Sequence, residues 1–467
     1  MLYIVYLGVS IADYDYIAYL LPYLLIVFFI AIFYTELTFF IVIAATPLSV
    51  NIEEWVDGFG LYLPTEPLLF GTMVILLLQS LRSRVFPDYL WRSPITITII
   101  LYLIWLFFMA IVSTNQIASF KFILARLWFI VPILFYGSSV YASRRNIRLF
   151  LWLFLSAMTI VIIYTLIHHA SYRFAEKEGH WVMSPFFKDH TIYGAIVALT
   201  VPLIVAFYFS RKHNALIQFI LLGILFITLL GLFFSYTRAA WLSLALAMGI
   251  WALVKYKVKF SIVAGVALVI GLYVWVSWDA IQQDLARNKY EHTTEEFGEK
   301  LQSATNVTTD ASNLERINRW SCAISMFKEK PLTGFGPGTY AFEYARFQQP
   351  ENLTIISTNF GDGGNAHSEY LGPLAETGLP GMLLVLAFVA AIFYQGIRVY
   401  YKISPEDKEW RTLVLGMLVS LGSYFIHGFL NNYLDSDKAA VPVWSMCAIF
   451  IAIDAQVSAS RKEAVIS

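Results

Sequence analysis

Residues 190–254 read HTIYGAIVALTVPLIVAFYFSRKHNALIQFILLGILFITLLGLFFSYTRAAWLSLALAMGIWALV. Three apolar runs in this stretch, 190–209, 214–234 and 238–254, are each long enough as helices to cross a hydrocarbon core of roughly 30 Å. A short basic turn with Arg211 and Lys212 separates the first two, and a Ser/Thr-rich turn separates the last two. Such a chain folds back and forth through a bilayer. The remaining sequence repeats the pattern: 58% of its 467 residues are hydrophobic and 14% charged, with a mean hydropathy of +0.65, too apolar for a soluble globular protein of this length. Further runs lie near 17–33, 36–50, 66–81, 94–113, 121–141, 147–167, 260–278, 378–397, 412–430 and 439–456, about thirteen spans in all, with twelve as the rival count because the first two are short. No cleavable signal pattern precedes them, so the first run is expected to act as an uncleaved insertion signal. The expected fold class is an all-α polytopic membrane protein with one large outward-facing, partly helical loop.

Lys and Arg are retained on the cytoplasmic side of spans and so set orientation. Alternate connections carry Arg82, Arg84 and Arg92; Arg144, Arg145 and Arg148; Arg211 and Lys212; Lys255, Lys257 and Lys259; Arg398, Lys402, Lys408 and Arg411; and Arg461 and Lys462. The opposing connections 51–65 and 431–437 contain acids and no base, so they face outward and the C-terminus lies inside. Thirteen spans put the N-terminus outside, which residues 1–16, with Asp13 and Asp15 and no base, permit. The chain then divides into transmembrane helices over 1–278, an outer loop domain over 279–377 and C-terminal transmembrane helices over 378–467. A second outer connection spans 168–189. The sequence has no repeat of 20–50 residues and no inverted duplication, which weighs against a transporter or lipid-linked-sugar flippase.

Several function classes drop out on composition. Two cysteines exclude a disulfide framework or a thiolate zinc site. A net charge of zero without a basic aromatic stripe gives no nucleic-acid partner. No Walker loop, G-x-S-x-G or H-E-x-x-H is present, so neither a cofactor nor a metal is expected. Two D-x-D triplets, Asp13–Asp15 and Asp435–Asp437, have the spacing of metal ligands, but chance explains so short a pattern. The 17% aromatic content is mostly interfacial belt and bundle packing.

Chemically suggestive residues fall on the outer face. Within the large loop, SNLERINRWSCAISMFKEK predicts an amphipathic helix whose Ser312 and Glu315 have capping-box spacing and whose Arg316 and Trp320 share a face. PLTGFGPG, 331–338, predicts a rigid connection, TYAFEYARFQQP a short helix stopped by Pro350, and 351–364 a surface loop or lid. In GNAHSEYLGPLAETGLPG, 364–381, Asn365 is the expected N-cap of a helix running to Thr377, kinked at Pro373 and stopped by Gly378 and Pro380. His367 would lie in its first turn, where the macrodipole disfavours a protonated imidazole and keeps it a neutral base. Glu369 and Glu376 are the alternative bases in that stretch, against a plain role in dipole compensation or solvent exposure. Arg238 and Arg126 stand at outer span ends, against the positive-inside bias; snorkelling is the ordinary reading, and an anionic partner the other. Arg316 and Arg319 taken alone would solvate a surface helix, and Lys188 and His190 would anchor at the interface. Convergence of arginines, a lysine and a histidine on one face favours an anion site there, where a lipid-linked phosphate would lie.

These residues resemble the bacterial O-antigen ligase and O-antigen polymerase superfamily, specifically from about 190 onward and before that in topology alone. Its S-x-[ST]-R-[GA]-x-W pattern is met by SYTRAAW with Arg238, its R-x-x-x-W and P-L-x-G-x-G-P-G patterns by Arg316, Trp320 and PLTGFGPG, and its histidine signature by His367, Ser368, Gly378 and Gly381. The resemblance implies an inverting glycosyltransferase of the inner membrane, acting at its periplasmic face. It would move a polysaccharide from undecaprenyl diphosphate to an acceptor hydroxyl, in ligases a sugar of lipid A-core. It implies His367 as base and Arg238 and Arg316 as diphosphate ligands; Arg126, Lys188, His190, Arg319 and Tyr370 are additional substrate-binding candidates. An Asn usual in that family before the span at 190 is here Asp189–His190, so no firm role carries over there. A polysaccharide polymerase and a protein O-oligosaccharyltransferase share the scaffold and remain open.

Overall fold

A computed structural model of the chain describes residues 29–53, 60–259, 311–349 and 364–466, with isolated positions between 261 and 277 and at 353. Among the described residues, the only strands are a two-residue pair, Val50–Asn51 against Tyr62–Leu63, and the rest is helix and connection. The principal helices are α1 Thr35–Ala45, α2 Thr65–Ser80, α3 Pro94–Ile111, α4 Gln116–Phe129, α5 Arg144–Ser171, α6 His190–Ser210, α7 Ala215–Phe233, α8 Arg238–Lys255, α9 Ala311–Glu329, α10 Leu371–Lys402, α11 Lys408–His427 and α12 Asp437–Ile466. Eight helical stretches among the described residues are long and apolar enough to cross a bilayer: α3, α4 with its continuation to Val140, α5, α6, α7, α8, α10 and α12. The protein is an all-α polytopic membrane protein. Most of the expected run 17–33 and much of 260–278 lie outside the described residues.

Local sequence chemistry sets where these helices begin. Asp189 caps α6 by accepting from the Thr191 and Ile192 amides at 2.7 and 3.1 Å, and Asn115, Asn214 and Asp407 cap α4, α7 and α11 in the same way. Pro94 opens α3, where its missing N–H costs nothing. Pro132 is absorbed by a π-helical widening over Ile130–Tyr136, which carries α4 on toward Val140. α6 and α12 are enclosed almost throughout, whereas α7 and α8 leave most of their apolar surface exposed, as lipid-facing helices do. α11 is less apolar than its neighbours; it is nonetheless buried between α6 and α8.

The two ends of the bundle differ in chemistry. One end gathers Arg144 on Asp407 at 2.9 Å, an Arg148 fork on Glu409 at 2.7 and 2.9 Å, and Lys402 on Asp454 at 2.6 Å. At the other end, the starts of α4, α6, α8, α10 and α12 meet the ends of α3, α5, α7 and α11, and α9 packs onto α10. There Asp437 accepts from Ser49 and Thr65 at 2.5 Å each, and Asp435 pairs with Arg126 at 3.4 Å, which accounts for both carboxylates of that D-x-D triplet.

PLTGFGPG locks α9 to the bundle. The amides of Phe335 and Gly336 donate to Ala375 O and Glu376 O at 3.2 and 2.7 Å, and Leu379 N donates back to Pro331 O at 2.9 Å. Thr114 N donates to Phe335 O at 2.9 Å and Ser119 Oγ to Pro337 O at 2.7 Å. Gly336 sits at φ +119°, and a Cβ there would lie 1.9 Å from Ser113 Oγ, so only glycine fits. The turn seats against a break in α10 at Gly378, where φ is 69°; the helix resumes at once through Pro380 rather than stopping. A satellite core of Cys322, Met326, Phe335, Tyr340, Tyr344, Ala366 and Ala375 completes the docking. The side chain of Ser312 and almost all of 351–364 lie outside the described residues, and Glu315 pairs within α9 with Arg319 at 2.7 Å.

Candidate active site

His367 lies at the loop-bearing end, in a turn ahead of α10 rather than inside its first turn. Asn365 does not cap the helix: its Oδ1 accepts from the His367 amide two residues on at 2.9 Å, and Ser368 Oγ caps α10 through the Tyr370 and Leu371 amides, 3.3 Å each. His367 takes φ +47°, a region sparsely populated by non-glycine residues. That backbone is held from several directions. Trp320 Nε1 donates to His367 O at 3.2 Å from α9, and Glu369 N donates to Gly428 O at 2.8 Å.

The histidine side chain faces the end of α11. Its Nδ1 is 3.4 Å from Asn431 Oδ1, and Asn431 Nδ2 is 3.1 Å from His427 Nε2. Arg316 Nε donates to Leu430 O at 3.2 Å, beside Asn431. Burial, and then the positive charge of Arg316, hold the His367 pKa below its usual 6.5. The imidazole is therefore neutral near pH 7, as a helix N-terminus was expected to make it, but the cause is desolvation and a neighbouring guanidinium.

The start of α8, which carries Arg238, lies against the end of α11. The turn before it is wedged tightly: Tyr236 adopts φ +51°, its hydroxyl donates to Phe174 O at 2.8 Å, and Thr237 Oγ1 donates to His190 O at 2.7 Å. Gly194 of α6 permits that contact, since a Cβ there would meet Thr237 Cβ at 2.6 Å. Arg238 opens α8, half-buried, and the main chain of the adjoining Ala239 lies against His427. His367, Asn431 and His427 thus form one line of side chains, with Arg316 beside it and the helix start that carries Arg238 against its far end. Residues 223–386, which contain Arg238, Arg316 and His367, match the family model described as O-antigen ligase. This segment is similar to the O-antigen ligase family. No curated protein matches the chain.

The other candidates make contacts within the protein itself. Arg126 pairs with Asp435 and lies 4.8 Å over the Phe122 ring. Lys188 bonds Glu53 at 3.1 Å on the surface, and His190 stacks on His180 with ring centres 4.1 Å apart. Arg319 is buried against Glu315 and 4.0 Å above the Tyr344 ring, and Tyr370 donates to Phe425 O at 2.9 Å. Neither glutamate of the stretch is exposed or tied to a helix dipole. Glu369 Oε1 accepts from Tyr424 Oη, Tyr433 N and Leu434 N at 2.6, 2.8 and 2.9 Å, and Glu376 Oε1 accepts from Tyr340 N at 3.1 Å. Asn431 and His427 were missed in the sequence, and both lie beyond the O-antigen ligase domain match. The signal available was slight: a histidine in the last turn of a span and an Asn pair in a connection noticed for its acids.

Proposed function

We propose that the protein is an inverting glycosyltransferase of O-antigen ligase type, moving a polysaccharide from undecaprenyl diphosphate to an acceptor hydroxyl such as a sugar of lipid A-core. The supporting observation is a neutral, half-buried His367 beside the Arg316 guanidinium, joined through Asn431 to His427, which lies against the start of α8 where Arg238 stands. The basic loops gather at the opposite end of the bundle, which by the positive-inside bias supports a site on the periplasmic face of an inner membrane. The diphosphate already activates the anomeric carbon. The acceptor oxygen attacks that carbon from the face opposite the diphosphate while its proton passes to His367 Nε2. The carbon–oxygen bond to the diphosphate breaks, its electron pair leaves with the carrier, and Arg238 and Arg316 stabilise the charge that develops there.

Purified protein in nanodiscs, supplied with lipid-linked polymer and acceptor, tests this reading. Transfer is expected to proceed in EDTA. Losing a general base typically costs about 10²- to 10⁴-fold, so His367→Ala is expected to fold and bind undecaprenyl diphosphate yet barely transfer. His367→Gln is expected to be nearly as poor, because it orients but accepts no proton. Arg238→Lys and Arg316→Lys keep charge without the planar fork and are expected to be strongly impaired. Normal turnover by His367→Ala, or by both arginine variants, sinks the assignment.

A further inference from the structure

We infer that Asn431 and His427 are positioning residues that fix the tautomer of His367, so that Nδ1 carries its proton and Nε2 presents the lone pair. This rests on the reading of His367 as the base. Asn431 and His427 are almost wholly buried, 3% and 1% exposed, so the contact between their polar atoms is shielded from bulk water. A carboxamide has one accepting end and one donating end, and orienting one end orients the other. His427 Nε2, 3.1 Å from Asn431 Nδ2, accepts from the amide. The amide oxygen then points at His367 Nδ1, which must carry the hydrogen. A flipped amide would aim its NH₂ at Nδ1, place the imidazole proton on Nε2, and leave no lone pair for the acceptor hydroxyl. The 3.4 Å separation is long for this bond, and such contacts tighten in a reactive complex.

The backbone around Asn431 is built to deliver that side chain. Arg316 holds Leu430 O on one flank, and Glu369 holds the Tyr433 and Leu434 amides on the other. His427 itself occupies the last turn of α11, against the Ala239 main chain. The tautomer of the base is therefore set from α11, one amide away. The same logic governs a serine–histidine pair oriented by a third group.

Solid-state NMR of the full chain in nanodiscs, ¹⁵N-labelled at histidine, reads the tautomer directly, with His367→Gln identifying the His367 signals. Wild type is expected to show neutral His367 with Nδ1–H. Asn431→Leu and His427→Leu are expected to move it toward Nε2–H and to lower kcat about 10²- to 10⁴-fold, with KM for the lipid-linked donor changed only a few-fold. Asn431→Asp still accepts from Nδ1–H, so it is expected to keep the tautomer and recover most of kcat. Its acid limb moves to higher pH, because a carboxylate stabilises the imidazolium. The charged groups acting on His367 are otherwise Arg316, Arg319 and Glu315, and those acting on His427 are Arg316 and Asp189. An Nε2–H tautomer in the wild type overturns the inference without any variant. So does an Asn431→Leu protein that folds and transfers at the wild-type rate while His367→Gln is inactive. A fully active His367→Gln instead removes the base reading and with it the catalytic part of this one, and the tautomer measurement still reports whether Asn431 orients the ring.

Discussion

Replacing Glu369 distinguishes a carboxylate that holds the site together from one that takes the proton. One oxygen, Oε1, accepts all three hydrogen bonds, from Tyr424 Oη at 2.6 Å and from the amides of Tyr433 and Leu434 at 2.8 and 2.9 Å. Alanine would strand three buried donors. At about 1–3 kcal/mol for each unsatisfied group, discounted for non-additivity, Glu369→Ala is expected to lose about 3–5 kcal/mol and to release the 430–434 segment that carries Asn431. Glutamine keeps a carbonyl oxygen at the Oε1 position and gives up only charge assistance, about 1 kcal/mol. Burial and then Asp435 already push the Glu369 pKa up, against the pull of Arg126, so a neutral amide is a close stand-in. Thermal unfolding in nanodiscs, run beside the transfer assay, should show Glu369→Ala much less stable and nearly inactive. Glu369→Gln should unfold close to wild type and transfer within about tenfold of it, as a loss near 1 kcal/mol allows. A Glu369→Gln protein as stable as wild type but slower by 10²-fold or more, alongside an active His367→Gln, would make the glutamate the base and refute this reasoning.

Three further outcomes follow from the same geometry. Because the folded pKa of His367 lies below 6.5, activity is expected to be flat near neutral pH and to fall only as pH drops through the lowered value; Arg316→Gln removes one cause of that lowering, so whatever activity remains should show an acid limb moved up toward 6.5. Gly336→Ala, with φ +119° and a Cβ 1.9 Å from Ser113 Oγ, is expected to cost about 2 kcal/mol or more, and adding Ser113→Gly should recover only the steric part, as read by thermal unfolding. Arg126 is 12% exposed and Asp435 44%, so Asp435→Asn leaves a buried guanidinium without its carboxylate; a double-mutant cycle with Arg126→Leu should give a coupling of about 1–3 kcal/mol, and a coupling of zero would mean that the two do not pair.

The spans were legible because a bilayer imposes one coarse requirement, a long apolar helix, and hydropathy reads that requirement directly. Even α11 was visible as a run near 412–430, although burial between α6 and α8 lets it carry Ser420, Ser423 and His427. The start of α10 was misread for a physical reason: an Asx turn and a helix N-cap both place an Asn oxygen on an amide two or three residues ahead, so Asn365 fits either. Gly378 was read as a helix stop; glycine does take a left-handed φ there, but the helix resumes through Pro380. What Glu369, Glu376 and His367 bind was not legible, because their partners come from 36 to 65 residues away. Arg238 stood out through an expected cost, a charge at the outer rim, and Arg316 through its spacing to Trp320, whereas Asn431 carries no charge and announced nothing.

The two arginines of the proposed diphosphate grip arise from different parts of the chain, Arg238 from the first turn of α8 and Arg316 from α9. A grip shared in this way works only if α9 cannot drift against the bundle. Three sets of contacts prevent drift, and all end on the segments that carry the base and its orienting amide. PLTGFGPG fastens to Ala375, Glu376 and Leu379 just beyond His367; Trp320 donates to His367 O; and Arg316 itself holds Leu430 O beside Asn431. On the proposed mechanism, a shift of α9 large enough to loosen the leaving-group site would also release the strained His367 turn and unseat Asn431. Acceptor activation and leaving-group stabilisation therefore share one mechanical support, so that little reorganisation remains when the glycosidic bond breaks.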